Sequence, residues 1–139
     1  MLQHQVFLSD RSRFEDPRSL AIGNLYDFIV KRHVALRAGA HKDVRIGDPE
    51  LGLVSWAVRK GLPLPGKKHL AIEQPTHAWS YGKFEGSIPK GQYGAGQVTK
   101  ELAGQVLITK VDDGSIQFTT AHSKYPERYV LRKTDDKKW

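Results

Sequence analysis

No segment of this 139-residue chain sustains a 3.6-residue apolar period. Short β-branched and aromatic runs stand in its place, cut by glycine and proline, over residues 25–30, 41–46, 53–58, 70–73, 106–111, 115–119 and 128–132. Within 53–58, Val54, Trp56 and Val58 share one face of a strand, which marks them as core. Asp113-Gly114 between two runs signals a hairpin. Six or seven short strands joined by tight turns predict an all-β, mainly antiparallel fold, either a compact small barrel or a sandwich.

The remaining stretches fit around that core. Residues 1–23 have no period and read as an N-terminal arm, polar and charged around Asp10 and Asp16 and closed by a Pro17 turn. Residues 87–96 carry Pro89, Gly91, Gly94 and Gly96 and read as an ordered turn region. The part from Lys90 to Gly96 lacks the lysine-serine ending and following helix of a phosphate loop. Residues 134–139 are charged and expected to fray, with Trp139 packing back. The length suits one domain over 1–139, since domains run to roughly 100–200 residues.

Composition narrows the chemistry. Cysteine is absent, which excludes disulfides, zinc-thiolate sites and thiol nucleophiles. A metal would have to sit on His, Asp or Glu, and the expected nucleophile is water. No apolar run approaches the ~20 residues of a membrane span, and no signal segment opens the chain, so a cytoplasmic protein is expected. A formal net charge of +7 points to a polyanion, nucleic acid first.

The stretch His41-Lys42-Asp43-Val44-Arg45 carries the chemistry. On a strand, His41, Asp43 and Arg45 project to one face about 6.5–7 Å apart. An imidazole, a carboxylate and a guanidinium in a row make a poor core and a good site. His and Asp suit a divalent transition metal, and Arg grips a phosphate through two parallel hydrogen bonds. His33, at the end of the preceding strand, could swing in across the Gly39 turn as a third ligand. The same pattern is short enough to fit an exposed polar edge strand. Further on, His77 and Tyr81 are four apart after the Pro75 turn and could each donate to a phosphate oxygen. Lys60 and His69 are weaker phosphate candidates, Lys60 as a strand-end lysine and His69 inside a basic loop.

These pieces in this order resemble the 3′-phosphoesterase domain of bacterial DNA ligase D and its freestanding relatives. The likeness runs through 28–33 (Phe-Ile-Val-Lys-Arg-His), 41–45, Ser55-Trp56-Ala57-Val58-Arg59-Lys60-Gly61 and His77 with Tyr81. It continues through 84–96 (Phe-Glu-Gly-Ser-Ile-Pro-Lys-Gly-Gln-Tyr-Gly-Ala-Gly). The resemblance implies a small β-barrel with an active-site groove on its outer surface. It further implies a divalent metal, manganese first with cobalt or zinc as substitutes, beside a phosphate site. The implied activity is DNA 3′-end healing: removal of a 3′-terminal ribonucleoside and then a 3′-phosphate, leaving a 3′-OH. By position, His33, His41 and Asp43 correspond to metal ligands, and Arg45, His77 and Tyr81 to phosphate and transition-state contacts. Asp10 and Asp16 sit at the spacing of acidic residues the family uses near its site.

Three departures from the family pattern are visible. His33 and His41 are eight apart where the family has six, His69 stands in place of an arginine, and Pro75 in place of a glutamate. Binding should survive these changes better than phosphomonoesterase activity. The competing readings are a non-catalytic DNA-end-binding module that recruits a ligase or polymerase, and a single-strand binder stacking bases on Trp56, Trp79 and Tyr93. Expected partners are DNA 3′ ends and a repair ligase or polymerase acting in trans on a detached, monomeric, nucleoid-associated domain, with no membrane.

Overall fold

A computed structural model describes residues 14, 16–37, 39–80, 86–88, 90, 96–121 and 127–139. The strands are β1 (Leu25–Ala35), β2 (Gly39–Asp48), β3 (Gly52–Val58), β4 (Ile72–His77), β5 (Gly86–Ile88), β6 (Gly96–Asp112), β7 (Ser115–Thr120) and β8 (Arg128–Arg132). They form one antiparallel sheet in the order β4-β3-β2-β1-β6-β7-β8, with β5 added to β6. Among the described residues no helix is long and apolar enough to cross a membrane.

The sheet curls about a core on one face. Tyr26, Phe28 and Val30 of β1 meet Val44 and Ile46 of β2, and Val54, Trp56 and Val58 of β3. Val106, Ile108, Ile116 and Phe118 of β6 and β7 complete the cluster. Alternation puts every second residue here, so the predicted Val54-Trp56-Val58 stripe is buried and Trp56 is no stacking platform. Fully burying a side chain such as Phe28 or Ile46 stabilises by roughly 1.5–3 kcal/mol.

Several boundaries differ from expectation. The stretch read as an arm adds buried Phe14, Pro17 and Leu20 to the fold, with a 3-10 turn at Pro17–Ser19. The tail expected to fray is ordered. Ala71 N donates to the Trp139 carbonyl, Trp139 N to that of Ala71, and Glu73 N to that of Lys137. These bonds strap the chain after β8 to the far edge strand β4, and cover an edge that would otherwise expose its backbone. The ring of Trp139 does pack back, edge-on to Trp56 at 5.9 Å.

The run expected over 70–73 begins instead at Ile72 and passes through Pro75 to His77. Proline survives there because β4 bulges: Ser55 pairs with Gln74 but Leu53 with His77, and the extra residues need no ladder hydrogen bond. Part of the turn region expected over 87–96 is strand, since Gly86–Ile88 pairs with the start of β6. Gly96 is required at that start. A Cβ there would stand 2.0 Å from the Val34 carbonyl oxygen, so only glycine lets β6 lie against β1.

Candidate metal and phosphate site

The other face of the same sheet is polar and nearly as buried. β1 contributes Lys31 and His33, β2 contributes His41, Asp43 and Arg45, and β3 contributes Ser55. Register brings them together: Lys31 is the Cα partner of Asp43, His33 of His41, and Arg45 of Ser55. The β4 bulge sets His77 opposite Leu53, which shares this face with Ser55. Alternation that fills the core with apolar residues therefore gathers the chemistry on the outer face.

His33 does not swing in from a strand end. It lies within β1, two residues short of Ala35, directly across the hairpin from His41. Gly39, at φ 73°, takes the left-handed conformation that turns the chain back into β2. At eight residues apart, His33 and His41 still pair directly, and the ladder continues to Ala35 opposite Gly39.

Asp43 is the hub. Its Oδ2 lies 3.2 Å from His33 Nδ1 and its Oδ1 lies 3.0 Å from His41 Nε2. Arg45 Nη2 donates to Oδ2 at 3.4 Å, while Arg45 Nη1 donates to Ser55 Oγ at 3.0 Å. Burial pushes the Asp43 carboxyl up, but the His41 hydrogen bond and the charges of Arg45, His41 and His33 outweigh it, leaving the group below its ordinary range. Conversely, the bond to Asp43 raises His41, against burial and the charge of Arg45. His77 moves the other way. Burial, the charge of Arg45 and that of Lys31 bring it down to about 4, against the pull of Asp43.

The donor set fits a divalent ion. One ligand atom each from His33, His41 and Asp43 lie within 4.8 Å of one another. Ligands 2.0–2.2 Å from a shared ion stand roughly 3–4 Å apart. Two imidazoles and a carboxylate suit borderline transition metals.

The sequence profile of the DNA ligase D 3′-phosphoesterase domain matches residues 31–133, most of the chain. The chain belongs to this family. Among the relatives of this 3′-phosphoesterase domain is the multifunctional non-homologous end joining protein LigD of Pseudomonas aeruginosa, 45% identical over 127 residues that cover 86% of this chain and 14% of the relative. The LigD proteins of Mycobacterium tuberculosis H37Rv and Mycolicibacterium smegmatis are 34% and 33% identical, each over 95% of this chain and 18% or 19% of the relative. The chain thus spans less than a fifth of the length of these relatives.

His69 Nδ1 is 2.7 Å from the Gly61 carbonyl and so ties down the turn after β3, while Lys60 is exposed in that turn. Asp16 caps the 3-10 turn, accepting from Arg18 N at 2.7 Å, beside a pocket it shares with Asp112 and Asp113 at the far end of β6. Trp79 is half-buried. Asp10, Tyr81 and Tyr93 lie outside the described residues. Sequence reasoning missed Lys31 and Ser55. Their signal was parity, since both share the odd-numbered face with His33, Asp43 and Arg45.

Proposed function

We propose that this domain is a manganese-dependent phosphoesterase that heals DNA 3′ ends. The reading is carried by the His33/His41/Asp43 cluster beside Arg45, inside a chain of the DNA ligase D 3′-phosphoesterase family. Two steps are assigned to it. Water first cleaves the bond from phosphorus to the O5′ of a 3′-terminal ribonucleoside, which releases the nucleoside and leaves a 3′-phosphate. Water then cleaves the bond from phosphorus to O3′, which releases inorganic phosphate and leaves a 3′-OH.

In this reading His33, His41 and Asp43 hold the ion, which when bound polarises the phosphate and makes water more acidic. Arg45 neutralises charge that builds on the phosphoryl oxygens, and its bonds to Asp43 and Ser55 fix the guanidinium before substrate arrives. With its pKa near 4, His77 is neutral at neutral pH and serves as a hydrogen-bond donor rather than a general acid. Tyr81 is assigned a second phosphate contact. Lys60 and His69 are secondary phosphate candidates, and Asp10 and Asp16 remain assigned to the arm by family position. The partners are a DNA 3′ end and a ligase or polymerase that takes over the 3′-OH, in the cytoplasm.

A primer-template ending in one ribonucleotide tests this, assayed with and without manganese. The expected result is stepwise shortening to a 3′-phosphate and then a 3′-OH, abolished by His41→Ala. No processing, or undiminished processing by His41→Ala, overturns it. Salt-sensitive binding without product would favour a non-catalytic end-binding module instead.

A further inference from the structure

Between β3 and β4 the chain makes a loop over residues 59–71. It carries Leu64, at 75% the most exposed large apolar side chain among the described residues. A single exposed leucine is ordinary on a protein surface. This one is held there. Pro63 and Pro65 flank it and fix the backbone φ on both sides. Lys67 N donates to the Leu64 carbonyl at 3.0 Å and closes the tip in a turn. At the base, Leu62 packs against the core, His69 Nδ1 lies 2.7 Å from the Gly61 carbonyl, and buried Ala71 is bonded to Trp139. Both feet of the loop are anchored in the fold while its apolar tip stays in solvent, a cost that packing against a partner would recover.

Charge says which partner. No Asp or Glu occurs between Glu50 and Glu73, whereas Arg59, Lys60, Lys67 and Lys68 all fall in that stretch and are exposed. An apolar tip amid cations matches a surface that is apolar in the middle and anionic at its rim. The end of a DNA duplex is such a surface, the open face of the last base pair ringed by phosphates. Position agrees with charge. Ala57, two residues before the loop, is the Cα partner of Asp43 on one side and of Ile72, the first residue after the loop, on the other. The loop thus leaves the sheet only two strand positions, roughly 7 Å, past the Asp43 row, at the end where His33 and His41 pair.

We propose that the β3–β4 loop caps the end of the duplex: Leu64 packs on the last base pair, at the 3′ end being processed, and Lys67 and Lys68 hold phosphates beside it. This deepens the reading of the site as a 3′-end phosphoesterase and rests on it. The cap fixes the end of the helix and so sets how far the strand reaches towards the metal cluster, which confines the site to termini and keeps internal phosphates out. An apolar side chain on the face of a base pair reads no base edge, so the cap is indifferent to sequence. Leu64 is a specificity residue rather than a catalytic one.

Fluorescence anisotropy of the whole chain, in EDTA, compares two DNAs with the same paired sequence: a blunt duplex, and that duplex with both ends closed by thymine loops. The wild type is expected to bind the open duplex about five- to tenfold more tightly. Leu64→Ser should lose that preference while binding the closed duplex as the wild type does, and Leu64→Met should keep it. Lys67→Gln combined with Lys68→Gln should weaken both DNAs and lower the slope of log affinity against log salt by about two. Circular dichroism checks that each variant is folded. Equal wild-type affinity for the two DNAs overturns the proposal. So does an undiminished preference in folded Leu64→Ser, which would leave the loop to a protein contact, or an equal loss by that variant on both DNAs. An unchanged salt slope in the double lysine variant overturns the phosphate contacts. All of these leave the phosphoesterase reading intact, because 3′-end processing by the wild type tests it separately. A wild type that prefers open ends but processes none overturns that reading and not the cap, and one that neither prefers nor processes them overturns both.

Discussion

His33 and His41 are direct cross-strand partners in the β1–β2 hairpin, with imidazole centroids 4.8 Å apart. Two further pairings hold that relationship: β1 is also fixed to β6 and β2 to β3. The loop between them therefore does not set ligand geometry. Two glycines inserted after Arg37 should leave manganese affinity within about threefold of wild type, since doubling a loop costs only about 0.6 kcal/mol. Loss of metal binding in that variant would mean that the loop itself positions His33.

Asp43 accepts from His33, His41 and Arg45 at once, so its substitution removes a ligand and the group that orients the other two. Asp43→Asn should lower manganese affinity and 3′-end processing by at least about 100-fold, the upper range for outer partners that merely orient a ligand. The metal-free protein should also lose about 1–3 kcal/mol, because buried donors are left poorly paired. Urea unfolding and metal titration measure the two effects separately. Processing within tenfold of wild type would remove Asp43 from the site.

His41 and His77 are displaced in opposite directions, and NMR titration of the metal-free chain should separate them. The His77 ring should titrate near 4, and the His41 ring above the ordinary 6.5. The signs follow by linkage. A depressed histidine makes the unfolded chain bind more protons between about 4 and 6.5, so stability falls as pH drops through that window. A raised one contributes stability that is complete below 6.5 and fades as pH rises through its folded value. His77→Gln should therefore flatten the acid limb of the stability profile, and His41→Gln the neutral limb. Two rings titrating together near 6.5 would contradict the burial of His77 and the bond from His41 to Asp43.

The legible part of this molecule was its alternation. Val54, Trp56 and Val58 announced a core face, and His41, Asp43 and Arg45 announced a polar one, because a period of two is written locally. The β4 strand was harder to read. Pro75 suggests a break, and only the pairing with β3 shows that a bulge accommodates it and sets His77 beside the site. Trp139 and Phe14 join the core through contacts distant in sequence, with no local period to mark them. Lys31 carries no local mark of burial, since nothing in a lone lysine amid apolar strand residues says that strands pair on both sides of it, as β2 and β6 do.

Arg45 reaches Ser55 and Asp43 through two separate nitrogens of one planar guanidinium, a fork whose geometry the single nitrogen of a lysine does not reproduce. Arg45→Lys should lower kcat about 100-fold or more with little change in manganese affinity, since a transition-state contact is lost and the ligands remain. Ser55→Ala removes one hydrogen bond from the same group, worth about 1.5–3 kcal/mol when it involves a charge, and should give an intermediate loss. Steady-state assays on a 3′-phosphate end, alongside metal titration, distinguish these outcomes. An Arg45→Lys variant of wild-type kcat would assign Arg45 to structure alone.

Trp139 joins the end of the described chain to the strand that carries His77. Its Nε1 donates to Glu73 Oε1 at 3.0 Å, its backbone pairs with Ala71, and its ring meets Trp56 at 81°. Glu73 and His77 belong to the same short β4, so the strap should govern where His77 sits but not the ligands on β1 and β2. Trp139→Ala should destabilise by about 3 kcal/mol, as large-to-small core changes do. Turnover should fall severalfold while manganese affinity stays within about twofold. Thermal unfolding, calorimetry and a 3′-phosphate release assay read the three quantities on one preparation. If metal affinity fell in step with turnover, the strap would be holding the whole sheet, and β4 would have no separate part in placing His77.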